Sequence, residues 1–277
     1  MKKYINLITI TLILCTGWKA AAAEPRIVSL APSTTEILFA LGLDDQIVGV
    51  SSFCDYPKKA LEKEKVGTFS YPNAEKILLL KPDIIFCTGL EQASAVTMLR
   101  GLGFNVYVSN PSGMEGLFSS IKEMGRLTGR QKEANDLVAK MKCEIGALKH
   151  NASGKANPKV FVEIWSEPLL TAGKKSLINE LIFLAGGVNI ACNVDKEYAH
   201  FSAEEVIYQN PDCIILTYMS QEIPIEILER RPGWHNISAI REGRVYNDID
   251  SDTLLRPGPR LIDGLKEMNR RFIAINE

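Results

Sequence analysis

Asn73-Ala74-Glu75-Lys76-Ile77, followed by Lys81-Pro82-Asp83-Ile84-Ile85-Phe86, decides the fold because the chain contains this pattern twice. Ser202-Ala203-Glu204-Glu205-Val206 is followed by Asn210-Pro211-Asp212-Cys213-Ile214-Ile215, at a constant offset of 129 residues. Each copy predicts a polar helix start, a short amphipathic helix, a Pro-Asp break and a buried strand. A unit repeated once at long spacing implies two lobes of one design. The preceding segments match more loosely: Glu36-Ile-Leu-Phe-Ala-Leu-Gly42 parallels Glu180-Leu-Ile-Phe-Leu-Ala-Gly186, both helices stopping near a glycine.

Strands are predicted at 27–30, 47–50, 84–87 and 106–108 in the first half, and at 160–164, 213–216 and 244–246 in the second. Strand-helix alternation of this kind gives an α/β fold with parallel central sheets covered by helices. Between the halves, residues 131–149 contain no proline and place Ala134, Leu137, Val138, Met141, Ile145 and Leu148 at helical spacing. Such a helix spans about 28 Å and is a stiff connector between lobes. The chain therefore divides into 1–23, a lobe at 24–130, a connecting helix at 131–150 and a lobe at 151–277, with a ligand cleft expected between the lobes.

Residues 1–23 read as a secretory signal peptide. Lys2 and Lys3 precede an apolar run over 5–14, and Ala21-Ala-Ala23 supplies small residues before Glu24-Pro25. The run is too short to span a bilayer. Bulky Leu14 before Cys15 argues for cleavage over lipidation. The whole chain carries 32 basic and 33 acidic side chains; cleavage leaves 29 basic residues, so the mature protein is mildly acidic. A nucleic-acid binder would show a basic excess or stripe, so that class is excluded. Export permits disulfides, but Cys54, Cys87, Cys143, Cys192 and Cys213 are an odd number and show no C-x-x-C spacing. Cys87 and Cys213 fall in apolar strands and read as buried small hydrophobes.

Catalytic signatures are missing. Thr171-Ala-Gly-Lys-Lys-Ser176 looks like the end of a phosphate loop but lacks the leading glycine, and reads instead as a turn opening a helix near Leu177. Neither a G-x-S-x-G elbow nor H-E-x-x-H occurs, and three scattered histidines (150, 200, 235) make no metal set. No catalytic residue, metal ligand or resident cofactor is assigned.

Ligands of open α/β sheets bind beyond the carboxyl ends of the strands. Phe53, Tyr56, Phe69, Tyr71, Trp165 and Tyr198 all fall in loops there, in both halves, which favours an apolar cleft for a large, flat ligand. Asp252 and Arg256 follow the last strand. Four apart, they form either a surface ion pair or a hydrogen-bonding pair for ligand amides.

Arg26-Ile-Val-Ser-Leu-Ala-Pro-Ser-Thr-Thr-Glu-Ile, Val48-Gly-Val-Ser-Ser-Phe-Cys-Asp-Tyr-Pro57, Leu80-Lys-Pro-Asp-Ile and Arg256-Pro-Gly-Pro-Arg260 together resemble the periplasmic cobalamin-binding proteins of ABC importers. The wider helical-hinge class to which these belong also handles haem, ferric siderophores and some metals. The resemblance spans the mature chain and implies a monomeric periplasmic receptor that is not an enzyme, carrying a corrinoid as transported ligand. It implies that Phe53, Phe69 and Tyr198 contact the corrin, with Asp252 and Arg256 hydrogen-bonding its edge. A family tryptophan after the Pro-Asp strand corresponds to Thr88 here, and Trp165 on the other lobe compensates. Glu75 and Glu204 take the places of two glutamates that dock on arginines of the permease dimer; as helix-start carboxylates they would also be favoured by the helix dipole. The alternative ligand is haem, which asks for an axial Tyr or His such as Tyr198 or His200, or a ferric siderophore.

Overall fold

The computed structural model describes residues 24–89, 92–152, 157–218 and 225–275; the expected signal peptide, with Cys15, lies outside them. In the first lobe, β1 (Ile27–Ser29), β2 (Ile47–Val50), β3 (Ile84–Thr88) and β4 (Val106–Ser109) form one sheet in the order β2-β1-β3-β4. All its pairings are parallel. The intervening helices are α1 (Pro32–Ala40), α2 (Ala74–Leu80) and α3 (Ala93–Gly101), with α4 (Gly113–Leu127) after β4. Then comes α5 (Gln131–Ala152), whose 22 residues span about 33 Å.

The second lobe continues with β5 (Lys159–Ser166), β6 (Leu169–Ala172), α6 (Leu177–Leu184), β7 (Val188–Asn189), β8 (Tyr198–His200), α7 (Ala203–Gln209) and β9 (Cys213–Leu216). It ends with α8 (Glu226–Glu229), α9 (Ser238–Arg241), β10 (Val245–Tyr246), α10 (Asp252–Leu255) and α11 (Leu261–Ile275). Its sheet runs β10-β9-β5-β6-β8, with β7 also on β5. The β10, β9 and β5 pairings are parallel, as the alternating pattern predicts, and the unpredicted two-residue β7 also pairs parallel with β5. To these the structure adds β6 and β8, both antiparallel and both absent from the sequence reading. Each is only three or four residues long, too short for a periodic signal. The Thr171 to Ser176 segment is the expected helix opening: the Ser176 hydroxyl caps α6 by accepting the Asn179 N–H at 3.0 Å.

The 129-residue repeat is a structural repeat. Asn73 and Ser202 each cap their helix, accepting the N–H of Lys76 and of Glu205 at 3.0 Å. Both helices end on a left-handed residue, Lys81 (φ 47°) and Asn210 (φ 48°), the two non-glycine residues with positive φ among those described. Proline follows each and bars a further helical turn. The aspartate after the proline then ties down the first strand of its lobe: Asp83 accepts the Arg26 N–H and Asp212 the Lys159 N–H, each at 2.7 Å.

The central parallel strands β1, β3 and β9 are buried on both faces, as parallel strands must be. Ile27 and Phe86 face one apolar cluster, whereas Val28, Ile85 and Cys87 face another. The same division sets Val160, Val162 and Ile215 apart from Phe161 and Ile214 in the second lobe. The inward-facing cluster is shared: it runs from Ile27 and Phe86 through Leu117 on α4 and Met141 on α5 to Leu181, Val162 and Leu265. The two sheets are thus separate, but the lobes meet through a continuous apolar seam as well as through α5. All five described cysteines are free thiols, and burial pushes those of Cys87 and Cys213 up to about 12.

Because the repeat uses the same devices twice, Asn73→Ala and Ser202→Ala should cost about 1 kcal/mol each in denaturant unfolding, the usual value of a lost N-cap. A cost confined to one lobe would show that the two copies are not energetically equivalent.

Candidate functional site

The turn from β1 into α1 sets the floor of the site. Thr34 and Thr35 donate their hydroxyls to the Ala31 carbonyl at 3.0 and 2.9 Å, and Thr35 Oγ1 also lies 2.8 Å from Ser29 Oγ. This buried hydroxyl cluster closes the turn and leaves Glu36, one helical turn in, almost wholly buried. Thr35 also contacts Cys54 Sγ at 3.1 Å, which holds residues 51–57 beside α1. Phe53, Asp55 and Tyr56 project from that loop.

Opposite them, α10 and the Arg256-Pro-Gly-Pro-Arg260 segment come in from the second lobe. A Cβ on Gly258 would sit 3.3 Å from the Glu36 carboxylate, so the segment lies directly against α1. Arg260 forks onto Glu36, donating from Nε at 3.0 Å and from Nη2 at 2.7 Å, while Nη1 reaches Asp250 at 3.1 Å. Its guanidinium also covers the Tyr56 ring, 4.1 Å from the centroid. Arg256 forks onto Asp55 at 2.6 and 3.2 Å and holds Asp252 through Nε at 2.9 Å. Asp252 and Arg256 therefore do pair, and the pair is part of a six-residue cluster bridging the lobes.

Electrostatics follow from burial. Desolvation raises the Glu36 and Asp252 carboxyls above their ordinary range against the pull of the arginines, whereas the Arg256 hydrogen bond lowers Asp55. Burial pulls Arg256 down, but Asp55, Asp252 and Glu36 together hold it above the usual value.

Phe53 and Phe69 sit in loops as expected, whereas Trp165 lies within β5 and Tyr198 opens β8, because the short antiparallel pairing with β6 extends the sheet over both. Phe53, Trp165 and Tyr198 are half-exposed, and Phe69 is half-buried. Gln92, which the sequence did not single out, fixes the Phe69 loop: its Nε2 donates to the Phe69 and Leu30 carbonyls at 2.7 and 3.0 Å. Its Oε1 accepts the N–H of Thr88, so Thr88 has a structural role at the place of the missing aromatic. On the second lobe a register irregularity in β5 falls between Glu163 and Trp165. It leaves Glu163 buried and turns Trp165 outward, opposite Leu170, which is in turn opposite His200. Trp165, His200 and, two residues from it on β8, Tyr198 thus share one exposed sheet face, with buried Ala199 pointing the other way.

Glu163 is a second unannounced feature. It receives a bidentate fork from Arg231 at 2.7 and 2.6 Å and the Tyr218 hydroxyl, and Arg231 stacks on buried Trp234. A cavity of about 490 Å³ also adjoins the charged cluster, walled by Glu36, Tyr56 and Arg260 together with Leu137, Met141 and Lys266. Phe53, Phe69, Trp165 and Tyr198 are not among its walls. It lies along the connecting helix, and of the six aromatics expected at the strand ends it touches Tyr56 alone.

Glu75 and Glu204 both occupy the first turn of their helices and are exposed. Beside Glu204, Glu205 accepts from Gln209 at 2.7 Å within the lobe. One turn further, Leu79 and Tyr208 are each 81% exposed, again 129 residues apart.

The periplasmic binding protein family profile matches residues 27–252. The chain belongs to that family. Among its relatives is the uncharacterized ABC transporter substrate-binding lipoprotein YvrC of Bacillus subtilis, 35% identical over 88% of this chain and 79% of that one. The vitamin B12-binding protein of Salmonella paratyphi A is 29% identical over 99% of each chain. Among solved structures, a possible iron-binding periplasmic protein from Staphylococcus epidermidis superposes with a TM-score of 0.81 at 31% identity, over 90% of this chain and 98% of that one. Periplasmic haem-binding proteins also share the fold. Binding proteins of this family deliver small-molecule ligands to ABC permeases. No described helix is long and apolar enough to cross a membrane.

Removing Arg260 would take the hydrogen-bonded fork off buried Glu36 and leave it only Arg256 Nη1 at 3.6 Å, whereas the hydrogen-bonded partners of Arg256, Asp55 and Asp252, are better solvated. Arg260→Ala should therefore cost about 3 kcal/mol or more of stability, and Arg256→Ala about 1 kcal/mol or less, in urea unfolding at neutral pH. Equal losses would mean that Glu36 is not anchored by its fork.

Proposed function

We propose that this protein is a monomeric, non-catalytic periplasmic receptor that captures cobalamin or a related corrinoid between its lobes and delivers it to an ABC permease. The observation that carries the reading is the Asp252–Arg256 pair, held at the lobe junction against the loop that carries Phe53, while Trp165 and Tyr198 are half-exposed on the opposing lobe. Half-exposed aromatic rings offer burial to a flat macrocycle, and the charged cluster offers hydrogen-bonding partners to its polar edge. The full-length vitamin B12-binding relative supports the same ligand class. The corrinoid is cargo, and no resident cofactor is invoked. Calorimetric or absorbance titration of residues 24–277 with cyanocobalamin should show saturable binding at micromolar concentration or below; no binding there would reject the corrinoid.

A second reading, haem or another ferric ligand, is favoured by the shared exposed face of Tyr198 and His200 and by the iron- and haem-binding structures of this fold. It would show as a haem-type absorption band lost on substitution of either residue.

Delivery uses the repeat. Glu75 with Leu79 and Glu204 with Tyr208 present one anion and one apolar side chain per lobe in equivalent places, which suits a partner that itself has two equivalent surfaces. Glu75→Arg combined with Glu204→Arg should leave cyanocobalamin affinity intact and abolish its uptake by cells; undiminished uptake would remove these residues from docking.

A further inference from the structure

The charged cluster contains four carboxylates, Glu36, Asp55, Asp250 and Asp252, around two guanidiniums, Arg256 and Arg260. Formally it is two negative charges in excess. Both faces of each guanidinium fork are already engaged: Arg256 by Asp55 and Asp252, Arg260 by Glu36 and Asp250. What remains accessible is carboxylate. The side chains of Asp55 and Asp250 are 51% and 55% exposed, against 20% for Arg256 and 13% for Arg260. At the end of β5, Arg231 is likewise spent on buried Glu163.

A site whose cations are each paired with two carboxylates, and whose most open atoms are anionic acceptors, selects by sign. It accepts N–H and O–H donors and repels a ligand that brings carboxylates of its own, because a like charge placed beside it has no free cation to answer it. From this we infer that Asp55 is a specificity-determining residue: by occupying the outer fork of Arg256 it makes the lobe junction an acceptor surface, selective for carboxamide-bearing ligands over anionic ones. The inference rests on the corrinoid reading and narrows it, since a corrin periphery carrying primary amides offers such donors whereas the propionates of haem do not. It also separates two roles for Arg256. With Asp55 in place the arginine orders the acceptor; without it the guanidinium would be free to take an anion.

The test uses cyanocobalamin and its isomeric monocarboxylic acids, each with one peripheral propionamide hydrolysed, titrated separately into residues 24–277 and into the Asp55→Asn and Asp250→Asn variants. In the unmodified protein at least one monocarboxylate should bind about tenfold or more weaker than cyanocobalamin. That discrimination should shrink several-fold in Asp55→Asn, and it should fade at about 1 M salt, where the screening length is about 3 Å. Asp250→Asn removes a second open carboxylate without freeing the Asp55 fork, so it should shrink discrimination less. Equal affinity for parent and all monocarboxylates would overturn the inference while leaving the corrinoid reading intact. So would an Asp55→Asn variant that loses affinity for every probe alike, which would mark Asp55 as merely structural. Failure of every probe to bind would overturn the corrinoid reading and the inference with it.

Discussion

The Arg260–Glu36 fork is the contact on which the site depends. A glutamate buried in the first helix of one lobe is tolerable only because a guanidinium from the far end of the chain reaches it. That pairing fixes the Arg256-to-Arg260 segment against α1, and with it the approach of α10 to the Phe53 loop. The apolar seam through α4, α5 and α11 brings the lobes together without direction, as hydrophobic contacts do. The charged forks supply direction, since planar guanidinium–carboxylate geometry admits little slippage.

The two lobes present different surfaces at their junction. The first places its carboxylates on the α1 helix and the loop after β2, which are tied together by the contact of Thr35 on α1 with Cys54 in that loop. The second offers a flat exposed face built from an irregular β5 and two short antiparallel strands. A ligand held between them would meet aromatic surface on both sides and acceptors at the junction. The cavity along α5 has another character, with lysines and acids already paired around it, such as Lys59 with Asp44 and Lys266 with Glu144.

Much of this was legible in the sequence. The 129-residue repeat announced two similar lobes, since Pro-Asp after a short helix leaves the backbone few choices. Strand positions followed from doubly buried β-branched runs. The antiparallel additions did not announce themselves, because β6 and β8 take their identity from pairing with β5 and not from local pattern. Within the site, Asp252 and Arg256 were readable as a pair from their spacing on one turn. Asp55, Glu36 and Arg260 stood in the recognised motifs without assigned roles, because their meeting spans more than 200 residues of chain and no local spacing reports it. Gln92 was hidden for the same reason: its three partners lie on separate segments.

The most direct test is where the protein becomes protected when ligand is added. Hydrogen exchange of residues 24–277, with and without cyanocobalamin, should show slowed exchange in residues 51–57, 165–170, 198–200 and 250–260 together. Protection confined to residues 137–144 and 262–266 would move the ligand to the cavity along the connecting helix and contradict binding at the lobe junction.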